Sequence, residues 1–235
     1  MTAPMTRQAP PLRRVFDWML LLAIAAVVAT YVRAILFTPV ERLQGPAQKI
    51  FYIHAPSAWV AFLAFGVVAF AGAMYLWLKD ERLDRIAESS AEVGVIFTTA
   101  VLLTGPMWGK PVWGTWWTWD ARLTLTLFLW FVYVGYLVMR GALDDRAQRA
   151  RFSAVLGILG SLLIPFIHLS VYLFRTLHPE PIVLKPSAPS LPGEMLTTLL
   201  IAFLSFTLLY LALVRARYRL GVLRDHAALA EEEHA

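Results

Sequence analysis

The sequence of 235 residues contains no cysteine and few charged side chains. The absence of cysteine excludes disulfide bonds, thiolate metal sites and thiol redox chemistry. Charged residues make up 16% of the chain and hydrophobic residues 59%, whereas a soluble domain carries about 25% charged residues. Together with a mean hydropathy of +0.61, this balance predicts an integral membrane protein.

Motifs for several common chemistries are also missing. The chain has no phosphate-binding loop, no H-E-x-x-H zinc motif and no G-x-S-x-G nucleophile motif. Its apolar runs hold no dense group of carboxylates, which would be typical of a proton-coupled pump. No inverted repeat of a secondary transporter is visible. None of these chemistries is therefore indicated.

Six apolar runs approach or reach the length of about 20 residues that a helix needs to cross a bilayer. They predict one membrane domain over residues 1–235, an all-α polytopic fold, and spans over residues 16–37, 57–78, 91–107, 121–139, 152–174 and 195–214. The first run continues to Phe37 without a small-residue cleavage pattern, which favours a retained helix over a signal peptide. The third is predicted to end at Gly105 and Pro106, because proline lacks an amide hydrogen and glycine is flexible.

The lysines and arginines are distributed unevenly between the two sides of the predicted bundle. Fourteen lie on the side of the N-terminus: Arg7, Arg13, Arg14, Lys79, Arg82, Arg85, Arg140, Arg146, Arg149, Arg151, Arg215, Arg217, Arg219 and Arg224. Six lie on the other side: Arg42, Lys49, Lys110, Arg122, Arg175 and Lys185. Because positive residues favour cytoplasmic loops, both termini are predicted to be cytoplasmic. The outward loops then cover residues 38–56, 108–120 and 175–194.

The middle outward loop contains five of the nine tryptophans: Trp108, Trp113, Trp116, Trp117 and Trp119. If residues 113–120 are helical, Trp113, Trp116, Trp117 and Asp120 share one face and form an aromatic shelf on the membrane surface. The alternative is an enlarged interfacial belt, since tryptophan favours the headgroup level. A belt would be spread over all helix ends, so the concentration of the tryptophans in one loop favours a ligand-binding shelf.

Two histidines on the outward side flank this loop in the sequence. His54 precedes the second span and His178 follows the fifth, and each lies close to a proline that restricts the backbone. A lone histidine in a loop is usually a solvated bystander. As a pair on one face they form a candidate site, because neutral imidazole is the commonest metal ligand and a porphyrin iron takes one axial ligand above and one below.

Several other polar residues have two interpretations. His168 lies inside the fifth span, where an ionisable group is usually functional or paired; a neutral ring bonded to a carbonyl freed by Pro165 is the favoured interpretation. Four cations on the outward side could pair with carboxylates of a ligand: Lys49, Lys110, Arg122 and Arg175. Arg122 is the first candidate, because arginine pairs with carboxylates in a bidentate manner. It could equally form a salt bridge with Asp120 and hold the start of the fourth helix.

The run WGTWWTWDARLT resembles the signature of the WWD-motif family of haem-handling proteins. Together with FYIHAPSAW before the second span and the late His178-Pro179, it is most similar to the CcmC branch of that family, the haem exporter proteins C. The resemblance covers nearly the whole chain. It implies that His54 and His178 are axial ligands of the haem iron, and that Arg122 matches the basic residue after the motif. The implied platform for the haem consists of Trp108, Trp113, Trp116, Trp117, Trp119 and Asp120.

The resemblance also implies a function in c-type cytochrome biogenesis. Such proteins hold haem b at the periplasmic face of the bacterial inner membrane and pass it to the membrane-anchored haem chaperone CcmE. They work with the ABC-type subunits CcmA and CcmB and with the small CcmD. Since the chain has no cysteine, its haem would be bound non-covalently as cargo. Lys49 stands where some relatives have arginine, and it lacks the bidentate fork of that residue.

Three functions of different classes are therefore considered. The first and favoured one is a haem-binding delivery protein that is not an enzyme. The second is a haem-lyase subunit, which would join haem to an apocytochrome without partners. The third is a membrane scaffold whose tryptophans serve only as anchors, and such a protein would remain colourless when it is expressed with ample haem.

Overall fold

The computed structural model describes residues 17–174, 176–179, 182–183, 185 and 187–232, and these ranges contain helices but no extended strand. The elements are α1 (Trp18–Leu36), a 3₁₀ helix (Pro46–Ile50), α2 (Phe51–Leu78), α3 (Glu81–Trp113), α4 (Ala121–Ala142), α5 (Arg146–Ser161), α6 (Leu163–Leu173) and α7 (Gly193–Glu232). A break at Leu162, three residues before Pro165, separates α5 from α6. Proline cannot donate the amide hydrogen bond of a continuous helix, which accounts for the break.

Aspartates begin four of the helices. In each case the carboxylate accepts a hydrogen bond from a backbone N–H of the first turn, which satisfies one of the otherwise unpaired donors there. The four capping residues are Asp17, Asp80, Asp120 and Asp145. At the other end of α3, Gly114 has φ of 78°, a left-handed conformation that glycine adopts without steric cost and that ends the helix.

Six of the helical segments in the described ranges are long and apolar enough to cross a membrane, with α5 and α6 forming one of them. This confirms the predicted polytopic all-α fold. The helices extend beyond several of the apolar runs from which the spans were predicted. Residues 51–56, predicted as loop, form the first turns of α2, and α7 continues from the last apolar run to Glu232.

The predicted end of the third helix at Gly105 and Pro106 is wrong. The helix α3 continues through both Pro106 and Pro111 to Trp113. Proline is tolerated within membrane helices, because neighbouring helices and hydroxyl side chains compensate for the backbone bonds that it removes. The additional two turns carry Trp108 and Trp113 to the end of the bundle where α2 and α4 begin.

The helix α2 lies at the centre of the bundle and packs against α3, α5 and α7. Its Phe65 stacks on Tyr133 of α4, with ring centroids 3.6 Å apart and planes 13° apart. The Phe65 ring also lies close to α3, which requires Gly94 there, since a Cβ at this position would lie 2.6 Å from the ring. Small residues of this kind allow close helix packing, which is a main source of stability for membrane bundles.

Candidate functional site

A cavity opens at the end of the bundle where α2 and α4 begin. Its lining comes from α2, α3, α4 and α6, from most of the segment 115–120 and from Leu177. The space, counted with its open mouth, is about 840 Å³. Most of the lining is apolar, and the polar groups include His54, Asp120 and Arg122. A concave apolar site with a few converging polar groups is typical of a ligand-binding pocket.

The two predicted histidines lie next to each other, and His54 lines the cavity. The ring centroids of His54 and His178 are 6.5 Å apart, and their planes are inclined by 35°. The Nδ1 atom of His54 is 2.9 Å from the hydroxyl of Thr104, and that of His178 is 3.0 Å from the carbonyl of Pro179. Each ring is therefore held through Nδ1, which leaves its Nε2 atom for a ligand or a metal.

The segment after Trp113 is not helical, contrary to the condition under which a flat shelf was predicted. Gly114 ends α3, and residues 115–120 form an irregular connection to α4. The hydroxyl of Thr115 donates to the carbonyl of Trp117 at 3.0 Å, which fixes the turn of this connection. A glycine with positive φ reverses the chain here, so the aromatic rings do not follow helical spacing.

The five tryptophans consequently occupy different places. Trp108 is buried behind His54, with ring centroids 5.8 Å apart. Trp113 lies between Trp108 and His178, at 6.1 and 6.4 Å, and it lines the cavity with Trp116 and Trp117. Trp119 is 76% exposed and packs edge-on against Trp117. Three of the tryptophans thus form a wall of the cavity, while Trp108 and Trp119 pack against residues that line it.

Asp120 and Arg122 have separate functions in the structure. Asp120 caps α4 by accepting from the backbone N–H of Leu123 at 3.0 Å, and it also accepts from the hydroxyl of Thr118. The predicted alternative of a salt bridge between Asp120 and Arg122 is not formed among the described residues. Instead, one terminal nitrogen of Arg122 is buried without a hydrogen-bond partner in that part of the chain. Arg122 therefore offers an unused cationic donor to the cavity.

Two of the other predicted cations stabilise helix ends. Lys49 donates to the carbonyls of Thr38 and Pro39 just after α1, and Lys110 donates to the carbonyl of Gly114 at 3.0 Å after α3. A cation near carbonyls at a helix C-terminus is electrostatically favourable. Arg175 lies outside the described residues.

His168 does not form the hydrogen bond that was predicted for it. Within the described ranges its ring forms no hydrogen bond to a carbonyl freed by Pro165, and its nearest aromatic neighbour is Tyr172 at 6.5 Å. Unlike His54, it is not part of the cavity lining.

The surroundings of His178 lower the pKa of its side chain. Withdrawal of the ring from water and the nearby positive charge of Arg122 lower the pKa of His178 to about 4, although the hydrogen bond to Pro179 acts in the opposite direction. Both main causes disfavour the imidazolium form. The ring is therefore neutral at physiological pH, as a metal ligand must be.

Three residues that support the site were not predicted. Thr104 contacts His54, and a Cβ at Gly105 would come within 3.3 Å of the same ring. Gly109 similarly leaves room for Trp113, which folds back to 3.2 Å from its Cβ position. Threonine and glycine are common inside apolar runs, so the residue types alone do not mark these positions. The sequence indicates them only through their proximity to Trp108 and Gly109.

The comparison with known protein families decides the assignment of the chain. The family model described as heme exporter protein C matches residues 3–232. The chain belongs to the heme exporter protein C family. The match includes both histidines and the whole tryptophan-rich segment.

Individual relatives agree with the heme exporter protein C assignment. The chain is 39% identical to the heme exporter protein C of Haemophilus influenzae, over 81% of this chain and 78% of that protein. It is 37% identical to the heme exporter protein C of Bradyrhizobium diazoefficiens, over 90% and 80% of the two chains. A protein from Marchantia polymorpha, named as a putative ccmC-like mitochondrial protein of cytochrome c biosynthesis, is 34% identical over 72% and 71%.

Proposed function

We propose that this protein binds haem at the periplasmic face of the bacterial inner membrane and delivers it to the chaperone CcmE. In this proposal it acts in haem export for cytochrome c maturation, as a member of a complex with CcmA, CcmB and CcmD. The family assignment supports haem handling, and the fourteen-to-six distribution of lysines and arginines supports the outward position of the site. The protein is a carrier and performs no bond chemistry on its cargo.

The pairing of His54 with His178 is the single observation that carries the proposal. Two imidazoles on opposite sides of one metal, each with a metal–nitrogen bond of about 2 Å, have ring centres roughly 6 Å apart. The observed separation of 6.5 Å fits such a pair of axial ligands. Both Nδ1 atoms are already hydrogen-bonded, as is usual for histidines that bind a metal through Nε2.

The surroundings of the histidines suit a flat apolar macrocycle with carboxylate groups. Trp113, Trp116 and Trp117 supply apolar ring surface, and the unpaired nitrogen of Arg122 would bind a propionate. The indole N–H of Trp117 is a second buried donor without a partner in the described part of the chain. These donors would be costly to bury if no ligand satisfied them.

The position of the site supports delivery over permanent retention. The cavity is partly open, its lining residue Trp116 is 59% exposed, and Trp119, which packs against the lining residue Trp117, is 76% exposed. A partner could therefore reach one edge of the bound haem while the histidines still hold the iron. The scaffold alternative is disfavoured, because Trp108, Trp113 and Trp117 face the histidines and the cavity instead of lipid.

An absorption spectrum of the purified protein tests the proposal. The parent, expressed with ample haem, is expected to show a Soret band and the reduced spectrum of six-coordinate haem. Replacing both His54 and His178 by alanine should abolish the band, whereas each single replacement should retain part of it through the remaining ligand and the aromatic wall. His226→Ala serves as the matched control in the distal part of α7. A colourless parent, or a double variant with the full Soret band, contradicts the proposal.

A further inference from the structure

We infer that Thr104 is a positioning residue that fixes the tautomer of His54 and so prepares its Nε2 atom for the haem iron. The inference rests on the proposed function and deepens it. Thr104 belongs to α3 and His54 to α2, so the contact of 2.9 Å between them joins two helices, and His54 lines the cavity.

The direction of this hydrogen bond follows from a second contact of the same hydroxyl. The Thr104 Oγ1 atom lies 2.6 Å from the carbonyl oxygen of Ala100. Two oxygens at this distance need a hydrogen between them, and a hydroxyl has only one. Since that hydrogen is donated to Ala100, the contact with His54 requires Nδ1–H of the imidazole as donor and Thr104 as acceptor.

The tautomer of His54 is thereby determined. A neutral imidazole has one N–H and one lone pair, so a hydrogen on Nδ1 leaves Nε2 as the unprotonated nitrogen. The same result holds for His178, because the carbonyl of Pro179 can only accept from its Nδ1. Both histidines are consequently prepared to bind a metal through Nε2 before haem arrives.

The two histidines obtain this preparation from different sources. The His178 ring forms its hydrogen bond with Pro179, the next residue of its own loop. Within the described ranges it has no hydrogen bond to a residue of a helix. His54 instead bonds to a side chain of a neighbouring helix, and the missing Cβ of Gly105 lets its ring lie against α3. The interhelical bond restrains the His54 ring in rotation, and the N–H···O bond increases the basicity of Nε2. Thr104 therefore influences both haem affinity and the electron density at the iron.

Substitution of Thr104 in the full-length protein tests the inference. Thr104→Ala and Thr104→Val remove the acceptor, and Thr104→Ser retains it. Loss of such an outer-shell partner typically lowers metal affinity roughly 10- to 100-fold, so haem titration followed at the Soret band should show a decrease of that order. The midpoint potential of the bound haem should rise, because a less basic imidazole stabilises ferric iron less. Thr104→Ser should restore both values.

The matched control is Thr99→Val on the same helix. Thr99 forms the same backbone hydrogen bond, to Val95 at 2.8 Å, and contacts Trp130 instead of His54. Parent-like affinity and potential in Thr104→Ala, while His54→Ala binds haem more weakly than the parent, would overturn the inference and leave the proposed function intact. A parent that binds no haem would overturn the proposed function itself. Alanine favours helix formation, so Thr104→Ala should fold even where valine disturbs packing.

Discussion

His178 differs from His54 in how strongly its surroundings control the ring. It is partly exposed, its polar contact is with the next residue, and its pKa is lowered to about 4 by withdrawal from water and by Arg122. An unfolded histidine has a pKa of about 6.5. Because the pKa of His178 is lower in the folded protein, the unfolded chain binds a proton at this residue first as pH falls. The free energy of unfolding therefore decreases between about pH 6.5 and pH 4.

Acid release of haem should therefore occur at lower pH than an ordinary histidine would allow. Ligation requires neutral imidazole, and His178 remains neutral well below pH 6.5. We expect the Soret band of the loaded protein to persist at pH 6 and to decrease only in more acidic buffer. The measurement is a pH titration of the spectrum, with far-ultraviolet circular dichroism as the control for helix content. Release with a midpoint at or above 6.5 while the helices remain intact would contradict this expectation.

At the scale of residues, the sequence indicated the candidate ligands but not the residues that contact them. His54, His178 and the tryptophans are conspicuous because they lie in the segments that the sequence predicts as outward loops. Thr104 and Gly105 have no such signature, since their importance arises only when α3 lies beside α2 in a particular register. The buried, unpaired nitrogen of Arg122 also could not be predicted, because an ion pair with Asp120 was equally compatible with the sequence.

At the scale of elements, the start of α4 connects the helix bundle with the tryptophan segment. Asp120 accepts from the backbone of α4 through one oxygen and from Thr118 through the other. Loss of a capping aspartate costs about 1 kcal/mol of stability, within a range of roughly 0.5–2. In this protein the cap also holds the irregular segment 115–120, which has no backbone helix of its own.

Asp120→Ala is therefore expected to lower haem delivery strongly and folding stability only slightly. The fold should lose about 1 kcal/mol, whereas the segment that lines the mouth loses its attachment to α4. Asp120→Asn, which retains an accepting oxygen, should behave nearly as the parent. The matched control is Asp80→Ala, which removes the cap of α3 at the far end of that helix. The readouts are thermal unfolding and the haem content of co-expressed CcmE; equal losses of delivery in both alanine variants would refute a specific function of Asp120.

The tryptophan wall gives a second prediction at this scale. Trp116 and Trp117 line the cavity, and each aromatic ring that packs on haem contributes on the order of 1 kcal/mol or more through area and stacking. The double substitution Trp116→Ala, Trp117→Ala should weaken haem retention by at least roughly tenfold and leave membrane insertion unchanged. Trp77→Ala, at an exposed position near the other end of α2, is the control. Full loading of CcmE by the double variant would favour the anchoring function of these residues.

Element boundaries were the least predictable feature of the fold. Hydropathy locates the apolar part of a helix, but α3 and α7 continue beyond it into charged sequence. The extension of α3 at its start is stabilised by ion pairs, such as Asp84 with Arg140 at 2.6 Å. At its other end, α3 includes two prolines that in a soluble protein would end a helix. The membrane environment and the packing of α2 determine these outcomes, and neither is encoded within the local sequence.

At the scale of the whole molecule, the two ends of the bundle have opposite chemistry. The helix α2 begins beside the cavity lined by His54 and runs for 28 residues, about 42 Å at 1.5 Å per residue, to a second cavity at Lys79. Eight of the fourteen cations that were predicted to be cytoplasmic line this second cavity: Lys79, Arg85, Arg140, Arg146, Arg149, Arg151, Arg217 and Arg224. Acidic residues of α3 pair with several of them, including Arg140, which is only 4% exposed.

This arrangement makes the predicted topology testable with reporter fusions. Positive residues resist translocation, so the end with the arginine-rich cavity should remain cytoplasmic and the tryptophan end should be periplasmic. Fusions after Lys49, Lys110 and Lys185 are expected to report an external position, and fusions after Lys79 and Arg140 an internal one. Lys110 is the most informative, because it lies within the last turn of α3 beside the tryptophan segment. A cytoplasmic signal from the Lys110 fusion would place the histidine pair on the wrong side of the membrane for delivery to CcmE. An external signal from the Lys110 fusion and an internal signal from the Lys79 fusion would together show that α3 runs from the cytoplasm outward.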